Sequence, residues 1–434
     1  MTNFKHIKTN LLANRIRYLA YKVFKIKILK ILTFPLYDVL IFFAQRNKFA
    51  KVFIDRFISG SRLEEEKILG YVQLKKIILI LRPDHIGDFI YSLPSFITLK
   101  HHIANDYLIN ILVDPCNLDM SRKCGLFNYI YVFSVFNKRG KRTLPSKHDY
   151  IKLSDEIGEV SILIDARPDG DNFFITGWIK AEKVYRIEKD RALIGLLTDA
   201  CQNDHLIKEE PYKPNQFKFY SHELDGYRPR LIFNYFSEIL VNENLSVNIT
   251  FEEAKKRSND CLKNIYPKIT QTDCIVFCPE ARSSRKMWAN SQTRALIDYL
   301  AIALSGKFTI ILLGKEASTD GVVFENTIDL RGKTNLDEAF TIISSASIFI
   351  GFDSGLSHFA GLIGTNVVEI FTAKTQPLVW GAISVQNNVK ILSPSQPRLK
   401  TILEKITTSK KSIQYLDCIE ASDVINFLRN LHLN

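Results

Sequence analysis

The segment Ser347–Phe371, reading SIFIGFDSGLSHFAGLIGTNVVEIF, constrains the fold of this chain more than any other. Its first apolar run, Ile348–Phe352, is continuous rather than alternating, which marks a strand buried on both faces of a sheet. Asp353, Ser354 and Gly355 interrupt the run with capping and turn chemistry. Leu356, Phe359, Ala360 and Ile363 then recur at helical spacing, Gly364 supplies a stop, and Val367–Phe371 reads as the next strand. A strand–helix–strand unit of this kind belongs to a parallel sheet. Its helix begins with unsatisfied N–H groups, an acid, a hydroxyl and the imidazole of His358, a setting that favours phosphate or diphosphate.

The same alternation recurs along the chain. Lys76–Arg82 is another continuous apolar run; it ends in Pro83-Asp84-His85-Ile86-Gly87-Asp88 and is followed by a helical stretch, Phe89–Lys100. Strands are predicted at Leu108–Val113, Tyr129–Phe133, Val160–Asp165 and Lys183–Ile187. Residues 202–227 turn polar and read as a long loop or lid. Helices at Pro229–Val241 and Phe251–Asn264 lead to a second series, with strands at Cys274–Cys278, Phe308–Leu313, Ile348–Phe352, Val367–Phe371 and Val389–Leu392. Between these lie helices Ser291–Leu304 and Asn335–Ser345, with Asn335 as cap. At 434 residues, two doubly wound α/β halves are expected, with a boundary near 240–272.

Charge separates an appendage from the body. Residues 1–62 carry 13 Lys/Arg against 2 Asp/Glu, a balance of +11 in a chain whose net charge is +12. The remainder is close to neutral, which argues against a nucleic-acid partner, whose electrostatic footprint belongs on the folded body. Leu12, Ile16, Leu19 and Val23 follow helical spacing among Arg15, Lys22 and Lys30. The apolar run Ile31–Ala44 is too short and too broken by Pro35 and Asp38 to span a bilayer. A basic amphipathic arm lying on an anionic membrane surface is one reading; a helical arm packed on the body or on a second subunit is the other. The seven cysteines form none of the paired sets that zinc needs. Cys274 and Cys278 share one strand face as small core residues, and a reducing, cytoplasmic setting is expected.

Four stretches carry candidate chemistry. Asp84–Asp88 lies at the carboxyl end of a strand, where open α/β sheets bind ligands. Asp88 there is either a general base or a helix cap, His85 is a weaker candidate, and Gly87 lets a substrate approach the backbone. Arg282-Ser-Ser-Arg285-Lys286-Met-Trp288 suits a diphosphate walled by Trp288, or is a solvated basic loop. Glu316, after Gly314-Lys315, is a ribose ligand or a surface acid. Asp169-Gly170-Asp171 spells a metal-binding D-x-D or simply a turn. A P-loop and a dinucleotide fingerprint are both missing.

Taken together, the chain resembles the lipopolysaccharide heptosyltransferases, glycosyltransferase family 9. The resemblance runs from Ile77–Pro94 through Pro279–Trp288, Asp329–Thr334 and Gly351–Ala360 to Cys418–Val424. It implies a GT-B fold, two Rossmann-like domains facing across a cleft: residues 76–265 for the acceptor and 266–410 for the nucleotide-sugar. Residues 1–75 form the arm, and 411–434 carry a last helix (Ser422–Leu431) packing back on the first domain. It further implies an inverting, metal-independent transferase of the cytoplasmic face of the inner membrane, without a cofactor, moving heptose from ADP-heptose to a lipid-linked core acceptor. Asp88 matches the family's base. Lys286 matches the donor-phosphate lysine, with Arg282 beside it, and Asp353, Ser354, Gly355 and His358 match the donor loop. Glu316 matches the ribose-binding acid, and His85 and Gly87 fall on the acceptor side. Leu356 and the turn Thr372–Thr375 depart from the family pattern. That departure leaves a different nucleotide-activated sugar, or a degenerate sugar-nucleotide-binding protein, as alternatives.

Overall fold

The computed structural model describes residues 76–103, 107–135, 145–167, 173–186, 218–220, 227–269, 273–282, 286–288, 290–316, 325–371, 380–393 and 419–430. The basic arm, the D-x-D, Arg285 and the turn Thr372–Thr375 lie outside the described residues.

The first half is a five-stranded parallel sheet of order β3-β2-β1-β4-β5. Its strands are β1 (Lys76–Arg82), β2 (Tyr107–Val113), β3 (Tyr129–Val132), β4 (Glu159–Asp165) and β5 (Lys180–Arg186). The second sheet is seven-stranded, of order β6-β12-β11-β10-β7-β8-β9. It contains β6 (Lys218–Tyr220), β7 (Cys274–Cys278), β8 (Thr309–Leu312), β9 (Thr327–Asp329), β10 (Ile348–Phe352), β11 (Asn366–Ile370) and β12 (Val389–Ser393). All its pairings are parallel except β6 on β12. Both sheets therefore reverse strand order once, at β1/β4 and at β7/β10, the switch points where such sheets bind ligands. Part of the stretch read as a loop, Lys218–Tyr220, is an edge strand of the second sheet instead. Three residues are too few to leave a hydrophobic signal.

The described helices are α1 (Ile86–His102), α2 (Leu118–Lys123), α3 (Lys147–Ile157), α4 (Phe173–Thr176), α5 (Tyr227–Asn242), α6 (Phe251–Ile265), α7 (Asn290–Ala303), α8 (Leu336–Ser345), α9 (Gly355–Ile363) and α10 (Ala421–Asn430). Capping explains two starts that apolar spacing alone leaves loose. Ser146 with Asp149 and Asn335 with Glu338 form reciprocal capping boxes at α3 and α8. None of the described helices is long and apolar enough to cross a membrane.

The strands alternate between cores. Ile78 and Ile80 of β1 face a central cluster, whereas Leu79 and Leu81 face an outer one with Tyr150 and Leu153 of α3. In the second sheet Cys274, Val276 and Cys278 face the central cluster, and Ile275 and Phe277 face another outer layer. Both cysteines are free, buried thiols, as strand spacing predicts. One core thus lies between the two sheets. Helix α1 runs through it, buried from Phe89 to Leu99 and packed on α5, α6 and α9. Over that stretch the helix is buried all round, its apolar side chains joined by Ser92, Ser95 and Thr98, and such a helix is stable only when enclosed.

The last helix differs from expectation. Ala421, Val424 and Leu428 of α10 join the outer core of the second half, against Leu296 and Leu300 of α7. The Ala421 amide donates to Gln292 at 2.8 Å. Among the described residues, helix α10 packs on the second half rather than back on the first.

Candidate active site

The carboxyl end of β1 builds the first wall. Arg82 is fully buried; its Nε and Nη2 donate to the Asp88 carbonyl at 3.1 and 2.9 Å, and Nη1 donates to the Ala166 carbonyl at 2.7 Å. Asp84 is buried too, bridged to Arg82 at 3.1 Å and to Arg167 at 2.7 Å. Asp84 is thus committed to this arginine frame. Asp88 is not a helix cap: His85 occupies that position, and Asp88 stands in the first turn. Its carboxylate keeps 24% of its surface exposed and faces Arg228 Nη1 at 3.4 Å and Arg82 Nη2 at 3.7 Å. His85 has its pKa lowered to about 4 by burial and then by Arg282, with Asp88 opposing. Its ring is therefore neutral near pH 7.

The second wall comes from the ends of β7 and β10. Lys286 Nζ bridges Asp353 at 2.6 Å, and Asp353 is 4% exposed. His358 lies under that pair, buried, with Nε2 3.7 Å from Asp353 and Nδ1 3.8 Å from Glu369. Burial lowers its pKa to about 4, against the opposing charge of Asp353 and with a smaller push from Lys286. Burial and the Asp353 charge push Glu369 well above the usual carboxyl range, and its Oε2 accepts from the Ala382 amide at 2.9 Å. Ser354 caps α9 by position, yet its side chain makes no cap hydrogen bond.

The two walls touch. A Cβ on Gly355 would lie 2.6 Å from Ile86 Cγ2 and 3.0 Å from the Gly87 amide; one on Gly87 would lie 3.0 Å from the His358 ring. Gly87, expected to admit a substrate, is where the start of α1 meets the start of α9. Two positive helix ends then converge on one region, an arrangement that invites an anion. Arg282 reaches the same place from the second half. Partial loss of hydration lowers its pKa, while Asp88 and Asp84 of the first half oppose the shift.

Glu316 stands apart. It is exposed after β8, and its amide faces Glu280. Among the described residues no hydrogen bond or ion pair joins its carboxylate to the Lys286–Asp353 group. Trp288, read as a wall, instead donates Nε1 to the Ile419 carbonyl at 2.6 Å and packs edge-on to Phe352. Sequence reading missed Arg82, Arg228, Glu369 and Trp380. A buried acid inside an apolar strand, as in Val367-Val-Glu369-Ile, is the one signal of these that was legible.

Among the described residues, Asp353, His358 and Glu369 offer metal-ligand atoms within 4.8 Å of one another. The imidazole, however, stands between the two acids, one nitrogen toward each, and Lys286 already neutralises Asp353. The trio suits a neutral ring held between a salt-bridged carboxylate and a buried carboxyl whose pKa is raised better than a shared cation.

Two doubly wound sheets whose carboxyl ends meet are the architecture of the GT-B class. Residues 236–407 match the model of glycosyltransferase family 9 (heptosyltransferase), a span that holds Lys286, Glu316 and Asp353–His358. The chain carries a glycosyltransferase family 9 domain and is a glycosyltransferase. It is 25% identical over 302 residues to lipopolysaccharide heptosyltransferase 3 of Escherichia coli (strain K12), covering 64% of this chain and 85% of that one. In fold it is similar to E. coli heptosyltransferase WaaC with ADP-2-deoxy-2-fluoro heptose (TM-score 0.55, 14% identity, 82% of this chain and 99% of that one). It is also similar to a glycosyl transferase family 9 protein from Veillonella parvula DSM 2008 (TM-score 0.52, 15% identity, 83% and 99%).

Proposed function

We propose that this chain is an inverting heptosyltransferase that needs no metal, moving heptose from ADP-heptose to a lipid-linked lipopolysaccharide core acceptor. The observation that carries the reading is the meeting of Asp88, from one half, with Arg282 and the Lys286–Asp353–α9 group from the other. In this reading an acceptor hydroxyl attacks the anomeric carbon in a single displacement and Asp88 takes its proton. The bond to the diphosphate breaks with inversion, and ADP leaves. Lys286, Arg282 and the α9 N-terminus stabilise the charge that develops on the leaving group. Lys286 exchanges Asp353 for phosphate as the donor binds, and His358 and Gly355 shape the loop. Ser354 meets the ligand at the start of α9, and Glu316 is the ribose-binding acid.

The name of the E. coli relative and the heptose analogue bound to WaaC support the choice of sugar and acceptor. The basic arm, residues 1–75, supports action at the cytoplasmic face of the inner membrane, where a lipid-anchored acceptor lies. Purified full-length protein incubated with ADP-heptose and truncated core lipid should yield one added heptose by mass spectrometry. Transfer from another member of a nucleotide-sugar panel, with none from ADP-heptose, would replace the donor while keeping the class.

A further inference from the structure

Trp380 sits where the two halves exchange charge, and the site as described gives it no role. The Arg228 guanidinium lies 3.9 Å from its ring centroid, and Lys286 Nζ lies 5.8 Å from the same ring. Arg228 reaches Asp88 at 3.4 Å, whereas Lys286 holds Asp353 at 2.6 Å. One indole therefore contacts the cation beside the candidate base and the cation beside the candidate donor site. Its main chain is held as well. Tyr91 of α1 donates to the Trp380 carbonyl and lies 3.3 Å from that of Gly381, while its ring packs on His358 at 4.2 Å between centroids. Glu369 fixes Ala382, two residues on.

An aromatic face attracts a cation without neutralising it. Arg228 is therefore positioned by the ring yet keeps its full charge toward Asp88, and Lys286, paired with Asp353, has in the ring a second neighbour that leaves its charge to a phosphate once that pair opens. A cation held by a carboxylate in that place would have lost this charge.

We infer that Trp380 is a positioning residue that couples the donor pocket to Asp88, by holding Arg228 and Lys286 on one indole. The inference deepens the transferase reading and rests on it. When the donor draws Lys286 off Asp353, the ring that Lys286 shares with Arg228 shifts, and Arg228 moves relative to Asp88. Occupancy of one half then sets the geometry of the base in the other.

The test is a double-mutant cycle read with ADP alone by calorimetry, on full-length wild type, Arg228→Ala, Trp380→Ala and the double variant. Arg228→Ala should weaken ADP binding by roughly threefold in the wild-type background and leave it unchanged when Trp380 is already alanine. Equal effects in both backgrounds would overturn the coupling. In turnover, Trp380→Ala should lower kcat by about tenfold or more, with the donor KM changed much less, and Trp380→Phe should restore most of the rate. Trp380→Phe as impaired as Trp380→Ala would also overturn it, because the aromatic face is the claimed agent. If wild type binds ADP but does not use ADP-heptose, the proposed donor is wrong, and the ADP cycle still decides the role of Trp380.

Discussion

At the scale of single residues, burial and charge decide which side chains can act. Asp84 and Asp88 are four positions apart, and either suits a base on paper. Asp84 is enclosed by two guanidinium groups, whereas Asp88 keeps part of its carboxylate open. Asp88→Asn should therefore nearly abolish turnover while ADP affinity stays within about twofold, a kcat effect without a binding effect; unchanged turnover would remove Asp88 from the role of base. Glu369 permits a sharper test through pH. Its folded pKa is raised, so its contribution to stability is complete below its ordinary value of 4.5 and declines as pH rises above that value. Glu369→Gln does not titrate, so its melting temperature relative to wild type should climb between pH 5 and 8. A constant difference would mean the acid is not shifted. His85 and His358 act in the opposite sense: their lowered values make wild type lose stability as pH falls from 6.5 toward about 4.

Elements decide how close the two walls come. The starts of α1 and α9 approach backbone to backbone because residues 87 and 355 are both glycine. Gly355→Ala places a methyl group against Ile86 Cγ2 and the Gly87 amide, of which only the first can move aside. Overpacking of this kind costs about 1–3 kcal/mol, to be read as a lower urea midpoint, together with a fall in kcat as Asp88 draws away from Arg282. Unaltered stability and rate would show that the seam gives way easily. Local sequence anticipated both helices and the loops that start them. It did not anticipate their contact, because a glycine ahead of a helix reads equally well as a turn, a ligand approach or a packing point.

For the whole molecule, one core is shared. Ile78, Phe89, Val276 and Phe359 belong to the same buried cluster although they come from different halves. Polar links tie α6 to the elements around α9: Asn259 donates to the Leu362 carbonyl at 2.9 Å, and Lys255 donates to that of Ser384 at 2.9 Å. Because neither half keeps a complete core when separated, calorimetric unfolding should show one transition; two well-resolved transitions would show independent halves. The exposed Lys123–Asp337 bridge also crosses between halves, at 2.5 Å, with Tyr266 donating to Asp337. Its removal by Lys123→Ala, which leaves the Tyr266–Asp337 hydrogen bond in place, should cost no more than about 1 kcal/mol, and less at high salt, as exposed pairs do.

Local sequence suffices for the two α/β halves, nearly every strand of both sheets, and the acidic, basic and glycine-bearing loops at their carboxyl ends. These are local properties, written in apolar periodicity and capping residues. Packing in three dimensions makes Asp84 a framework residue, keeps Trp288 and α10 with the second half, and brings Arg228, Trp380 and Glu369 to the site. Those assignments depend on contacts that join separate elements, from Glu369 with Ala382 to Asp84 with Arg167, Trp288 with Ile419 and Arg228 with Asp88, and no periodicity within a strand or helix encodes them.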